Sequence, residues 1–365
     1  MQQKNKNCDP YKFHRTALVP VLPGATHEAL ERSCLKVRSL GESAFAQFLG
    51  VQGLAPLWDQ CIAGYPDQLP VTSSFIESIH ALRLQATGAY LIQRHGLDIV
   101  REALDGAGVT HVVMKGAHTR EVYYDTPALR PAMDIDVLVH SEEKLLAIRA
   151  FQVKGFRFKG NPATISHEAS LVKGYTSVDL HWDILRPGRT REPMTEKLIK
   201  TRVDQGSHWG LSPGATLFLM LVHPVFTKYS TAPQASLIRV IDMLLLLSRP
   251  DHLQATEQAL QLLKKSGLNT AGWITVQWLE ILTGCAETQN LEKMLQPRAW
   301  RRRWLQSWLE EDRASRLLDK SWTIQFGFTL PAHDRLSDAL RAARQARLYR
   351  KNGSKALERL QAQLD

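Results

Sequence analysis

Asp134 and Asp136 stand two residues apart in the run Asp134-Ile135-Asp136-Val137-Leu138-Val139-His140, where Ile135, Val137 and Val139 alternate with them. Strict alternation predicts a strand with the apolar set on one face and the acids on the other. Carboxylates at i and i+2 of a strand lie about 6.5 to 7 Å apart at Cα and point the same way, so one rigid element presents both to one or two divalent ions. Asp179 occurs in a second alternating run, Ser177-Val178-Asp179-Leu180-His181-Trp182. There Val178, Leu180 and Trp182 face a core, while Asp179, His181 and Asp183 share the other face. A third acid from a neighbouring strand would complete a metal cage. Nucleotidyl transfer needs such a cage, because cations must offset the charge of a triphosphate while a scaffold keeps the attacking and leaving oxygens in line.

Upstream, the apolar run Val109–Met114 reads as a strand, Lys115-Gly116-Ala117 as a turn, and His118–Tyr124 as a helix. Backbone N–H groups at a helix N-terminus favour phosphate oxygens, and Gly116 permits close approach. Lys115 and Arg130 add positive charge. Plainer readings stand beside these. His181 either orients Asp179, contacts a phosphate, moves a proton or is a hydrogen-bonded structural histidine. His167-Glu168 either faces the same cleft or is a solvated strand end. His223, followed by Pro224, reads as a packed or capping residue. Asp242, set among Val240, Ile241 and Met243, needs a partner if buried, for which an arginine of the core is the simplest choice.

Taken together, Val112-Val113-Met114-Lys115-Gly116-Ala117, Tyr123-Tyr124, Arg130, Asp134-Ile135-Asp136-Val137-Leu138-Val139 and Val178-Asp179-Leu180-His181-Trp182 resemble a bacterial family of nucleotidyltransferases within the DNA polymerase β-like superfamily. That family carries an LKG motif, an R-x3-DID motif and a DLHW-type strand. The resemblance spans roughly Ser73 to Leu247, including the segments around His223 and Arg239-Val240-Ile241-Asp242. It implies a five-stranded-type core, use of Mg²⁺ (or Mn²⁺) and of an NTP such as ATP, and metal ligation by Asp134 and Asp136. Asp179 matches the third acid, assisting the metal or acting as general base. The sequence departs from the broader superfamily pattern: Ala117 stands where a Ser follows the Gly, Lys115 precedes it, and the gap to Asp134 is longer. The phosphate grip therefore falls to Lys115, Gly116, Ala117 and Arg130.

These motifs need a scaffold, and the surrounding periodicity supplies one. Residues 1–106 read as an N-terminal helical region, clearest over Ser73–Asp105, where Phe75, Ile79, Leu82, Leu84, Leu91, Ile92, Leu97, Ile99 and Val100 recur at near-helical spacing. Residues 107–190 form the nucleotidyltransferase core, a small mixed sheet with a helix over Glu142–Val153, a short strand at Phe156–Phe158 and a hairpin of Ile165–Val172 and Tyr175–Ile184. After Pro187 the strand signals fade, and residues 191–365 read as a helical C-terminal domain. Its helices are expected at Pro213–Tyr229, Ala235–Leu247, Thr256–Lys265, Thr270–Leu282, Arg298–Leu318 and Arg335–Leu364. The fold class is α+β.

The 365 residues are 44% hydrophobic and 22% charged, ordinary globular values. The longest apolar runs fall well short of the roughly 20 residues of a membrane span. The N-terminal MQQKNKNCDPYKFH has no apolar segment behind its charges, so a cytoplasmic location is expected. Cys8, Cys34, Cys61 and Cys285 are scattered and predict reduced thiols rather than a zinc site. Of the net charge of +10, most sits at the end, since residues 296–365 carry 15 Lys and Arg against 8 Asp and Glu. With Trp300, Trp304 and Trp308 at every fourth position and Arg301–Arg303 between them, this segment is either a core stripe with a solvated edge or a surface for RNA. Arg341, Arg344, Arg347 and Arg350 have the same two readings. The function that follows is transfer of an NMP group from an NTP to an acceptor hydroxyl or phosphate on a small molecule, peptide or RNA. A toxin-like enzyme that modifies tRNA and a non-catalytic nucleotide-binding module are the alternatives.

Overall fold

The architecture is that of a computed structural model, which describes residues 9–65, 69–159, 167–228, 237–285, 287–317, 319–352 and 362. Four helices, α1 (Lys12–Leu18), α2 (His27–Leu40), α3 (Glu42–Gln52) and α4 (Ala55–Ala63), precede the 34-residue α5 (Ser73–Gly106). Thr26 and Thr72 open α2 and α5 by accepting from the third-following backbone N–H, the usual way an orphan helix donor is satisfied. At 1.5 Å per residue α5 is about 50 Å long, enough to serve two cores. Phe75 and Ile79 join the larger one beside Phe45 and Trp58, whereas Leu97, Val100 and Leu104 join a smaller one behind the sheet. Between Ile79 and Gln93 the helix buries nothing. Leu84, Leu91 and Ile92, grouped with the core by their spacing, are consequently exposed.

The sheet has seven strands in the order β3-β4-β5-β2-β1-β7-β6. They are β1 (His111–Met114), β2 (Ile135–Val139), β3 (Arg157–Phe158), β4 (Glu168–Lys173), β5 (Thr176–His181), β6 (Val203–Asp204) and β7 (Trp209–Gly210). The five expected strands are joined by β6 and β7, a short antiparallel pair from beyond Pro187 whose β7 lies parallel to β1. Two-residue ladders are too short to show a period of two, which is why the strand signal fades earlier in the sequence. Helix α6 (Lys115–Tyr123) starts directly after β1, so that the turn expected at Lys115-Gly116-Ala117 is the helix's own first turn, and α7 (Lys144–Val153) follows β2. Val113, Ile135, Val137, Val139, Leu171, Val178 and Leu180 fill the face covered by α5 and α7. Val112, Met114 and Leu138 point to the opposite face and belong to the larger core. The pleat therefore places Asp136 on that second face.

Past the short α8 (Thr195–Ile199), the chain forms α9 (Pro213–His223), α10 (Leu237–Leu247), α11 (His252–Ser266), α12 (Asn269–Thr283) and α13 (Glu287–Leu295). It ends in α14 (Ala299–Glu310), α15 (Arg313–Arg316), α16 (Ser321–Ile324) and α17 (Leu336–Asn352). The helix expected over Arg298–Leu318 is broken at Asp312, whose φ is 48°. Ile165, Tyr229, Ala235 and the end of the last expected helix lie outside the described residues. The larger core draws on both chain ends, with Arg15 donating to Ile281 O at 3.1 Å and Leu237 N to Gln52 Oε1 at 3.2 Å. Of the tryptophan stripe only Trp308 is buried, against Phe328, while Trp300 and Trp304 are exposed. No helix among the described residues is long and apolar enough to cross a membrane. Cys34 and Cys61 are free thiols among the described residues.

The contact of α5 with the sheet turns on Gly96, where an added Cβ would come within 2.8 Å of Ile135 Cδ1 and Thr176 Cγ2. Gly96→Val is expected to cost about 1–3 kcal/mol as overpacking. Gly88, on the same helix, has nothing within 4 Å of its would-be Cβ, and Gly88→Ala is expected to gain about 0.5–1 kcal/mol. Thermal melts of the two variants should move in opposite directions; a shared direction would disprove this account of α5.

Candidate active site

Strands β2 and β5 run parallel in a register that sets Asp136 beside Asp179 and Leu138 beside His181, while antiparallel β4 sets Ser170 against Asp179 and Glu168 against His181. Because facing residues in a ladder share a face, one side of the sheet carries Glu168, Ser170, Asp136, Asp179 and His181 together. Asp134 occupies the bend just before β2, where the Asp136 and Asp179 carboxylates bear on its pKa. The three sequence-predicted carboxylates thus converge. Ser170 Oγ donates to Asp179 Oδ1 at 2.6 Å.

Their electrostatics differ. Asp134 is pushed up to about 7, first by burial and then by the Asp136 and Asp179 carboxylates, with Lys115 opposing. Burial alone would also raise Asp136, but Lys115 and His181 hold it well below the usual carboxylate range. Lys115 Nζ donates to Asp136 Oδ1 at 2.6 Å, and His181 Nε2 lies 2.8 Å from the same oxygen and 3.3 Å from Nζ. Burial and Lys115 would each keep His181 neutral, yet Asp136 and Glu168 outweigh them and raise it. Asp183, expected on this face, is pushed up to about 6 by burial and caps Ile184 N at 2.8 Å.

Lys115 is one of two non-glycine residues described with positive φ, at 55°. A conformation of this kind costs of order 1–3 kcal/mol and is kept where the surroundings demand it. Here it turns the chain from β1 straight into α6 and sends the lysine over Asp136. The Ala117 side chain is packed into the smaller core, so what it can offer a phosphate is its backbone N–H in the first turn of α6.

Arg130 was expected on the phosphates, but its guanidinium is engaged elsewhere. It grips Asp242 with Nη2–Oδ2 at 2.7 Å and Nε–Oδ1 at 3.2 Å, and Nη1 donates to Pro131 O at 2.8 Å. Tyr124 OH donates to Asp242 Oδ1 at 2.8 Å. This is the core ion pair that buried Asp242 required. A Cβ on Gly116 would meet Arg130 Nη1 at 2.3 Å, so the glycine is where the arginine side chain crosses the turn.

Two further features bear on the site. Arg239, one turn before Asp242 on α10, is half-buried and among the described residues makes no hydrogen bond or ion pair. Its guanidinium lies in the field of Asp242, Asp136 and Asp134, although burial and Arg130 press its pKa down. Its i−3 spacing from Asp242 was the available signal. His167 and Glu168 also join the site, Glu168 Oε2 lying 3.0 Å from His181 Nδ1 and 3.6 Å from His167 Nε2. The half-buried His223 is close enough for Lys115 and Arg239 to bear on it and, with burial, to hold its pKa well below the usual value.

Three carboxylates on one rigid edge, with a lysine at a helix start, can hold a divalent cation and a polyphosphate together. Comparison with known proteins adds one finding. The model of a family described as uncharacterised nucleotidyltransferase matches residues 39–284, which contain every residue named above for this site. No curated protein and no solved structure matches the chain. With more than half its length matched, the chain belongs to this family of uncharacterised nucleotidyltransferases.

Proposed function

We propose that the chain transfers an NMP group from an NTP to an acceptor hydroxyl or phosphate in a metal-dependent reaction. The observation that carries this reading is the parallel register of Asp136 and Asp179, with Asp134 on the bend that leads into the same strand. All-oxygen donors in that number suit Mg²⁺ or Mn²⁺. Their fit is also electrostatic, because Asp134 is raised by its two acidic neighbours and a divalent cation would relieve that repulsion. An ion held by Asp134, Asp136 and Asp179 would supply charge neutralisation at the transferring phosphoryl group.

The chain's own residues supply the rest. Lys115 and Arg239 neutralise the outer phosphates, and the first-turn N–H groups of Gly116 and Ala117 donate to them. Asp179, aligned by Ser170, takes the proton of the attacking hydroxyl as pyrophosphate leaves. His181 fixes the carboxylate of Asp136. Arg130 acts as a positioning residue, tying α10 and thereby Arg239 to the Gly116 turn through Asp242. An RNA acceptor is favoured by one observation, the exposure of Trp300, Trp304, Trp322 and Phe326 on the basic C-terminal helices, since such rings stack on unpaired bases. Binding to a single-stranded RNA that falls steeply with salt would support that acceptor class.

Calorimetric titration of each of the four NTPs, with and without Mg²⁺, tests the site. One or more NTPs should bind only with Mg²⁺, and Asp134→Asn with Asp136→Asn should abolish that binding in a folded protein. Equal binding in wild type and double variant would move the non-catalytic reading to the front. Arg239→Ala should weaken NTP affinity at least tenfold with little change in melting temperature. Arg130→Ala should instead cost about 3–5 kcal/mol of stability, because it strands the buried Asp242. Similar melting of the two variants would disprove this division of roles.

The pH dependence has a definite sign. Asp134 binds its proton more tightly folded than unfolded, so without metal the protein gains stability from this group as pH falls through about 7 towards 4. Asp134→Asn should remove that gain and raise the metal-free melting temperature at pH 8. Mg²⁺ should stabilise wild type more at pH 8 than at pH 6, since it competes with the proton; no difference would remove Asp134 from the cage.

A further inference from the structure

We propose that His167, Glu168 and His181 form a second metal site, separate in its ligands from the three aspartates and suited to a borderline ion of the Zn²⁺ class. Glu168 opens β4 directly opposite His181 on β5, and Trp182 N donates to His167 O at 2.9 Å. Backbone pairing therefore fixes all three Cα positions. The ligand atoms lie within 4.8 Å of one another, with two of the separations at 3.0 and 3.6 Å. Neighbouring ligands of a four-coordinate ion with bonds near 2.0–2.2 Å stand about 3.3–3.6 Å apart, so two edges are close to what an ion needs and a small rotation of His167 closes the third.

An independent observation points the same way. His181 is 1% exposed, and its Nδ1 is buried without a hydrogen bond, the nearby Glu168 oxygen lying out of line for one. On the other side of the ring, Nε2 lies 2.8 Å from Asp136 Oδ1. An Nε2–H donated to Asp136 leaves a lone pair on Nδ1, on the side of the ring where Glu168 and His167 lie, with the Glu168 oxygen off its axis as a second ligand of a shared ion would be. A carboxylate behind an imidazole whose other nitrogen meets a metal is the usual arrangement around bound histidine. Two imidazoles and one carboxylate favour Zn²⁺, Co²⁺ or Mn²⁺ over Mg²⁺, and three protein ligands leave a position for water. An ion there would lock His181 against Asp136 and couple the two sites.

The inference does not rest on nucleotidyl transfer, and its test reads metal alone. The metal-free full chain is titrated with Co²⁺ and followed by its visible d–d absorption, then back-titrated with Zn²⁺. One equivalent of Co²⁺ with bands of nitrogen ligation, displaced by Zn²⁺, is expected. Binding should weaken at least tenfold in His167→Ala and in Glu168→Gln, and stay within a factor of two in Asp134→Asn with Asp179→Asn. Circular dichroism confirms folding; if His167→Ala fails to fold, the half-exposed Glu168→Gln carries the comparison. Failure of folded wild type to bind one equivalent would overturn the site. So would binding that survives Glu168→Gln but is lost in the aspartate pair, since the ion would then sit among the aspartates. Loss of Mg²⁺–NTP binding in the earlier titrations leaves this result untouched.

Discussion

A carboxylate buried as deeply as that of Asp136 cannot keep its charge unless cations are held against it, because removing an unpaired ion from water costs several kcal/mol even after relaxation. The architecture around Asp136 follows from that need. Lys115 accepts a positive φ to reach it, and β5 lies in the one register that brings His181 onto the same oxygen. A shift of one residue along β5 would turn both His181 and Asp179 to the opposite, apolar face. Burial and its acidic neighbours raise Asp134 to about 7, whereas Lys115 and His181 hold Asp136 low.

The second constraint joins the helical layer to the sheet. Arg130 and Asp242 come from segments 112 residues apart, and their bidentate contact crosses the turn at Gly116. Bidentate geometry makes the pair strong and directional. It fixes α10 above the start of α6 and so determines where Arg239 points. The glycine of the turn thereby serves packing as well as any approach of phosphate. Long α5 completes the frame, since it belongs to the core behind the sheet at one end and to the larger helical core at the other.

Membership of the nucleotidyltransferase family and this geometry meet on one face of the sheet. On the proposed reading the aspartates would take a hard cation with oxygen ligands, and the adjoining histidines and Glu168 a softer one. His181 stands between them, with one nitrogen on Asp136 and the other towards Glu168. The acceptor is the element for which the exposed aromatic and basic C-terminal surface supplies a candidate contact, remote in sequence from the aspartates.

Much of the core is legible in the amino-acid sequence by itself. The alternation around Asp134–His140 and Ser177–Trp182 carries a period of two, and the apolar run before Lys115 ends where α6 begins, because local periodicity reports which face a strand or helix buries. The mixed α+β class follows from the same signals. Pairing across the chain is decided elsewhere. Nothing in the local pattern shows that the Arg130 guanidinium closes on Asp242, that Arg239 lies in the field of the aspartates, or which of its two readings His167-Glu168 takes. Nor can helical spacing tell that Leu84 and Leu91 fall between two cores, or that Trp300 and Trp304 stay exposed while Trp308 is buried. The physical reason is common to all of these. A side chain's local period records the direction in which it points, whereas its partner and its exposure depend on what the rest of the chain brings to that direction, and only the tertiary structure decides that.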